Sequence, residues 1–134
     1  MGDGAVQPRR TVTRRLARDQ AAIVDARRMV VEQLRDWGIA EELIDEIALT
    51  AHELVANAFV HAVPPVDLRI IHAGSELIVE VDDRSPDRPQ RRYSAPDAEH
   101  GRGLQVVEAL ATQWGSRLHP TTKTVWSSHD IPTE

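Results

Sequence analysis

The sequence predicts an α+β fold, a two-layer sandwich whose mixed, mostly antiparallel sheet is covered by helices on one face. Three observations carry this expectation. Two stretches with helical spacing of apolar residues, one after Asp19 and one around residues 46–62, precede most of the strand-like segments. Leu77, Val79 and Val81 alternate with Glu80 and Asp82, so that this segment buries one face and leaves the other to water. A second strand-like run, Asp67 to His72, precedes it across the turn Ala73-Gly74-Ser75, which makes the two a β-hairpin. A sheet with one apolar face needs a cover, and the amphipathic helices supply it most economically.

In chain order, residues 1–8 are polar and Gly-rich and end in Pro8, the pattern of a frayed, disordered terminus, which leaves 9–134 as one domain. Thr11 to Leu16 alternates β-branched or apolar residues with arginine and suits a short edge strand whose charges discourage pairing with other chains. Asp19 then precedes a helical stretch in which Ala22, Ile23, Ala26, Met29, Val30, Val31 and Leu34 recur at helical spacing, and Gly38 ends it. Ile39-Ala40-Glu41-Glu42 leads into the second helix with acidic residues where the helix dipole favours them, and Pro64-Pro65 stops it. After the hairpin, residues 84–100 lack periodicity and carry three prolines and four arginines, so they read as a functional lid or as a linker. A helix from about Leu104 to Ala111 follows, and Trp114 to His119 and Thr121 to Ser128 close the sheet.

Composition narrows the function. A chain of 134 residues buries about two-thirds of its unfolded surface in a single core. Its 16 basic and 21 acidic residues give a formal charge of −5, which argues against a general nucleic-acid binder. There is no cysteine, hence no disulfide framework, no thiolate nucleophile and no zinc ribbon. No leader-like apolar region opens the chain, and no apolar run reaches the roughly 20 residues of a membrane span, so a soluble cytoplasmic protein without membrane contact is expected.

Three small patterns carry candidate chemistry. On the helix over 46–62, Ile44, Ile47, Ala51, Val55, Ala58 and Ala62 form one stripe, and Glu46, Thr50, Glu53 and Asn57 the opposite one. Glu53 and Asn57 stand one turn apart, so a carboxylate and a carboxamide point the same way and are fit to hold a water and a metal ion. Such a polar stripe is also what a merely solvated helix face looks like. Asn57 interrupts a run of better helix formers, which suggests a use beyond helix stability. His52-Glu53 is not a zinc-protease motif, because position 56 is Ala where a second His is required. Asp83 ends a strand, with Ser85 just after it. His100-Gly101-Arg102-Gly103-Leu104 is a Gly-rich turn opening a helix, an arrangement that exposes backbone N–H groups to a phosphate or that simply permits a turn. Neither the Rossmann nor the P-loop signature is present.

The order of these patterns, Glu53-x-x-x-Asn57, then Asp83 and Ser85, then Gly101-x-Gly103-Leu104, resembles the ATP-binding domain shared by gyrase, histidine kinases and mismatch-repair ATPases, the GHKL or Bergerat fold. Glu53-Leu54-Val55-Ala56-Asn57-Ala58-Phe59-Val60-His61-Ala62 is most similar to the anti-sigma-factor serine/threonine kinases of the stand-alone actinobacterial type, over roughly residues 10–128. The resemblance implies ATP and Mg²⁺ as cofactors. It makes Asn57 the Mg²⁺ ligand and Glu53 the catalytic carboxylate that orients or deprotonates the attacking hydroxyl. Asp83, with Ser85 beside it, would accept a hydrogen bond from the adenine amino group. Gly101, Arg102, Gly103 and Leu104 would line the phosphates, with residues 86–100 as a lid, and Thr124 would lie near the adenine.

The same resemblance implies an anti-sigma factor that phosphorylates a Ser or Thr of an anti-anti-sigma partner of the STAS type and holds a sigma factor. Homodimers are frequent among such kinases, and a homodimer is expected here on that ground. Where the family has glycines this chain has Ser85 and Asp87, which implies a less adaptable pocket floor. No helix with a phosphoacceptor His precedes the domain, which sets it apart from histidine kinases. A non-catalytic, ATP-responsive module that sequesters a regulator is the alternative, and a bare ATPase a third. Arg9, Arg10, Arg14 and Arg15 form a patch that reads as a solvated edge or as a partner surface.

Overall fold

The computed structural model describes residues 9–17, 19–61, 65–84 and 98–132, with the side chains at 61 and 98–103 outside that description. Five strands, β1 (Arg10–Leu16), β2 (Val66–Ala73), β3 (Glu76–Asp83), β4 (Gln113–Leu118) and β5 (Lys123–Asp130), form one sheet in the order β1-β2-β3-β5-β4. Three helices accompany them among the described residues: α1 (Gln20–Asp36), α2 (Glu41–His61) and α3 (Ala98–Leu110). The expected two-layer α+β sandwich is found, and its sheet is antiparallel in all four pairings.

Each element has a local cause. Asp19 caps α1 by accepting a 2.9 Å hydrogen bond from the Ala22 amide. At the other end the Ile39 amide donates to the Leu34 carbonyl and the Gly38 amide to that of Arg35, each at 3.0 Å, with Gly38 at φ 80°. This is a Schellman cap, and it needs a residue that tolerates the left-handed region. Arg35 then pairs with Glu41 at 2.9 Å across the short connection to α2. In the hairpin, Gly74 takes φ 62° while no non-Gly residue among the described residues has a positive φ. Positive φ at the first central residue alone is the II′ pattern, whose twist matches the flanking strands.

The sheet's alternation decides which side chains enter the core. Leu68 and Ile70 of β2, Leu77, Val79 and Val81 of β3 and Val125 of β5 point to the helices and are at most 5% exposed. From α2, Ile44, Ile47, Leu54 and Val55 meet them, each at 1% exposure or less. Burying one such side chain contributes about 1.5–3 kcal/mol, so this layer contact is the main stabilising term. α2 packs against α1 on one flank and α3 on the other as well as across the sheet. Its second stripe is therefore not a solvated face, contrary to the simplest periodicity reading. Thr50 is 0% and Asn57 9% exposed, Glu53 is half-buried, and only Glu46 among the four is exposed.

β1 is the expected edge strand, and Arg15 makes a two-pronged contact to Asp67 of β2 at 2.9 and 3.1 Å. The helix after residues 84–100 begins at Ala98 rather than near Leu104. Residues 1–8, expected to be disordered, and nearly all of the expected lid lie outside the described residues. No helix among the described residues is long and apolar enough to cross a membrane.

Because nothing surrounds the Gly38 Cβ position within 4 Å, Gly38→Ala tests the backbone alone. Thermal unfolding should register a loss of about 1 kcal/mol, equivalent to a few degrees in Tm. An unchanged Tm would show that the cap does not depend on the left-handed residue.

Candidate functional site

The topology brings the chemistry-bearing residues to one end of the sandwich. α2 ends at His61 and β2 starts at Val66, so the C-terminal turns of α2, which carry Glu53 and Asn57, lie at the end of the sheet where β2 begins. β2 pairs with β3 antiparallel, Asp67 opposite Asp82, which places Asp83 at that same end. β5 starts there too, with Lys123 directly opposite Asp83. α3, which packs against α2, begins 15 residues beyond Asp83.

Strand parity then sorts the expected residues. Asp83 shares its face with Leu77, Val79 and Val81 and points toward the helices, 2% exposed. Asn57 is buried and Glu53 half-buried on α2, on the stripe opposite the residues that meet the sheet. Thr124 behaves differently. It follows Lys123 and so turns to the opposite face of the sheet, where its hydroxyl donates to Asp82 Oδ1 at 2.6 Å and lies 3.3 Å from His119 Nε2. The residue that accompanies Asp83 on the helix side is instead Lys123, with Nζ 3.6 Å from Asp83 Oδ2 and side chains 4% and 1% exposed.

Gly101, Arg102 and Gly103 lie inside α3 rather than in a turn before it. Helix there costs roughly 1 kcal/mol for each glycine relative to alanine, and the element is held by Val107, 0% exposed against α2 and the sheet. Gly101 falls among the first four residues of the helix, whose amides have no intrahelical partner, whereas Gly103 falls within the ladder. Of the two glycines, only Gly101 thus contributes to the amides without an intrahelical partner in the first turn of α3. Leu104 is half-buried, and Ser85 lies outside the described residues.

The face away from the helices carries a separate charge network that sequence reading did not anticipate. Glu80 accepts from Arg69 and from Arg117, each at 2.7 Å, and Arg69 also reaches Asp82 at 2.9 Å. Burial pushes the Glu80 carboxyl up, but the two guanidiniums outweigh it and hold it below the usual carboxylate range. The Arg117 guanidinium sits 6.0 Å from the Trp126 ring centroid. Trp126 lies against Gly115, where an added Cβ would come within 3.1 Å of the ring. A shallow depression of about 400 Å³ opens here, lined by Ile78, Glu80, Arg117 and Trp126 among others. The signal was available in the alternation of β2 and β3, which sets Arg69 opposite Glu80 once the register is known.

Compared with known proteins, the chain matches the family model described as the histidine kinase-like ATPase domain over residues 16–128. Among solved structures it is similar to the crystal structure of the RsbU and RsbW domains of Rv1364c from Mycobacterium tuberculosis, with TM-score 0.70 and 20% identity. That likeness covers 91% of this chain but 32% of the other, so this chain spans about a third of its length and the likeness is one of fold. A search of curated proteins finds no match.

One further polar pair sits in the interior of β5. Ser127 Oγ and His129 Nε2 are 3.0 Å apart, an approach resembling a nucleophile and its base. Ser127 is 0% exposed, however, so no substrate reaches it, and the pair is structural. Burial lowers the His129 pKa to about 4 from 6.5, despite a hydrogen bond to the Leu110 backbone that raises it. Between those values the unfolded chain binds the extra proton, so stability falls as pH drops from about 6.5 to about 4 and levels off below. Urea unfolding across that window should show wild type losing roughly 3 kcal/mol more than His129→Gln. Parallel pH profiles for the two would remove His129 as the cause.

Proposed function

We propose, from the premise that this chain belongs to the histidine kinase-like ATPase domain family, that it is an ATP-dependent Ser/Thr protein kinase that also serves as an anti-sigma factor. The observation that carries the reading is the placement of Glu53 and Asn57 one turn apart on the packed side of α2, at the sheet end where Asp83 turns toward the helices.

The donor set fits the group the family implies. Mg²⁺ takes oxygen ligands, keeps several waters and shares phosphate oxygens, so it needs only one or two protein oxygens. Asn57 would supply one through its carboxamide. Among the described residues no group of three His, Cys, Asp or Glu side chains forms an all-protein metal cage, and the remaining ligands would come from phosphate and water. When bound, the ion neutralises charge on the transferred phosphoryl group. Glu53 would orient the partner's hydroxyl and take its proton as the oxygen attacks. Asp83 would accept from the adenine amine, and the first turn of α3 would direct amides at the phosphates. Catalysis of this kind is mainly positioning and charge neutralisation.

The resemblance of residues 53–62 to anti-sigma kinases supplies the partners. The phosphoacceptor is a Ser or Thr of a STAS-type anti-anti-sigma protein, the sequestered protein is a sigma factor, and the active form is a cytoplasmic homodimer.

Separate roles for Glu53 and Asn57 give a testable split. Glu53→Ala should lower phosphotransfer by about 10² to 10⁴ while leaving Mg-ATP binding within a few-fold of wild type. Asn57→Ala should weaken Mg-dependent binding itself. Calorimetric titration with Mg-ATP and single-turnover transfer to a STAS-domain substrate separate the two, and equal loss of affinity in both variants would refute the division. Tight ATP binding without transfer to any such substrate would leave the module reading instead.

A further inference from the structure

We infer that the free edge of β1 is a docking strip for an acidic, extended segment of a partner protein, which adds to the five-stranded sheet as a further strand beside β1. This goes beyond the kinase reading and does not depend on it, since β1 carries none of the residues assigned to ATP or Mg²⁺. Its ground is an edge strand that is long, regular and open, with positive charge on both of its faces.

β1 stands at the end of the strand order and packs chiefly against β2. An edge strand turns half of its backbone N–H and C=O groups away from the sheet, where they can pair with another chain. Most of the devices that close such an edge are missing here. The seven residues of β1 contain no proline, and their register against β2 runs without a bulge from Arg10 opposite His72 to Leu16 opposite Val66. Arg10, Thr11, Thr13, Arg14 and Arg15 are all exposed. Charge is the device that remains, and charge selects among partners where a bulge or a proline refuses them all.

That charge has one sign. Residues 9–15 hold four arginines and no acidic residue, in a chain whose formal charge is −5. Leu16 is buried in the core and Val12 packs against it, so strand parity puts Arg10 and Arg14 on the helix side of the edge. Arg15 projects on the other face, where it pairs with Asp67. Arg10 and Arg14 have no ion pair among the described residues. A strand laid along this edge alternates its side chains between the same two faces, at the cross-strand distance where opposite charges stabilise and like charges repel. A second copy of the chain would bring another set of the same arginines to the seam, whereas an acidic segment meets Arg10 and Arg14 with the complementary sign. Backbone pairing then supplies affinity and the arginines supply selection, as where a peptide extends a sheet.

Calorimetric titration and NMR amide exchange on the full chain test this with synthetic peptides of about eight residues in which glutamate alternates with valine. The acidic peptide should bind and slow exchange of the β1 amides by about tenfold or more, whereas its lysine counterpart should not bind. Methylating one of its two alternate sets of backbone nitrogens should abolish binding, because a strand presents only one set to its neighbour. Arg10→Glu/Arg14→Glu, two exposed changes that should leave Tm and Mg-ATP binding as in wild type, should weaken binding of the acidic peptide at least about tenfold. Failure of the acidic peptide to bind, equal binding of the lysine peptide, or binding indifferent to methylation of either set overturns the inference. So does tighter binding of a single-stranded oligonucleotide, which would make the arginines a phosphate surface. A change of oligomeric state in Arg10→Glu/Arg14→Glu would give the edge to a second copy and overturn it as well. None of these outcomes bears on ATP binding, so the kinase reading stands or falls separately.

Discussion

The structure depends on the burial of α2 on three sides. The sheet lies beneath it and α1 and α3 flank it. Ala48, Ala51 and Ala58, at most 6% exposed, keep its surface low enough for close approach, while Ile44, Ile47, Leu54 and Val55 fill the space between the layers. A helix enclosed in this way can keep a polar side chain only with a local solution. Thr50 has one, since its hydroxyl donates to the Glu46 carbonyl at 2.9 Å, one turn earlier. Asn57 lies nearer the surface, 9% exposed against 0% for Thr50, with a larger polar group.

Much of this was legible in the residues. The caps of α1 at Asp19 and Gly38, the hairpin around Gly74, the alternating core of β3 and the edge strand rich in arginine all follow from short-range rules, and short-range rules are what one sequence displays. Three matters were not. Which side of α2 faces water depends on how many neighbours it has, and periodicity shows only that two stripes exist. Where α3 begins was misjudged because Gly101 and Gly103 signal a turn locally, whereas packing of Val107 favours continuing the helix through them. Which face of the sheet Thr124 takes is the third, because register is a property of two strands and a shift of one residue exchanges the faces.

That exchange matters because the two faces of the sheet hold different kinds of charge. On the outer face Arg69, Glu80, Asp82, Arg117 and Thr124 form a connected set in partial contact with water, where screening keeps each pair's contribution small. On the inner face Asp83 and Lys123 are shielded from water, their side chains 1% and 4% exposed, where a lower local dielectric strengthens their mutual attraction. Asp82 and Asp83 are adjacent in sequence and chemically alike, yet the pleat assigns one to surface order and the other to the interface with the helices.

The strand order has a consequence for synthesis of the chain. β2 and β3 are joined by a two-residue turn and can pair as soon as both exist, but β3 and β5 meet only after the whole of α3 and β4 has intervened. Glu53, Asn57 and Asp83 are therefore all present in a nascent chain that still lacks the strand completing their surroundings. The inner face of β3 stays open until β5 docks, and closing that long loop is the entropically expensive step of the topology. The end of the sandwich that carries Asp83 is accordingly among the last parts to form, and a ribosome-bound intermediate would hold Glu53 and Asn57 on α2 before the sheet beside Asp83 is complete.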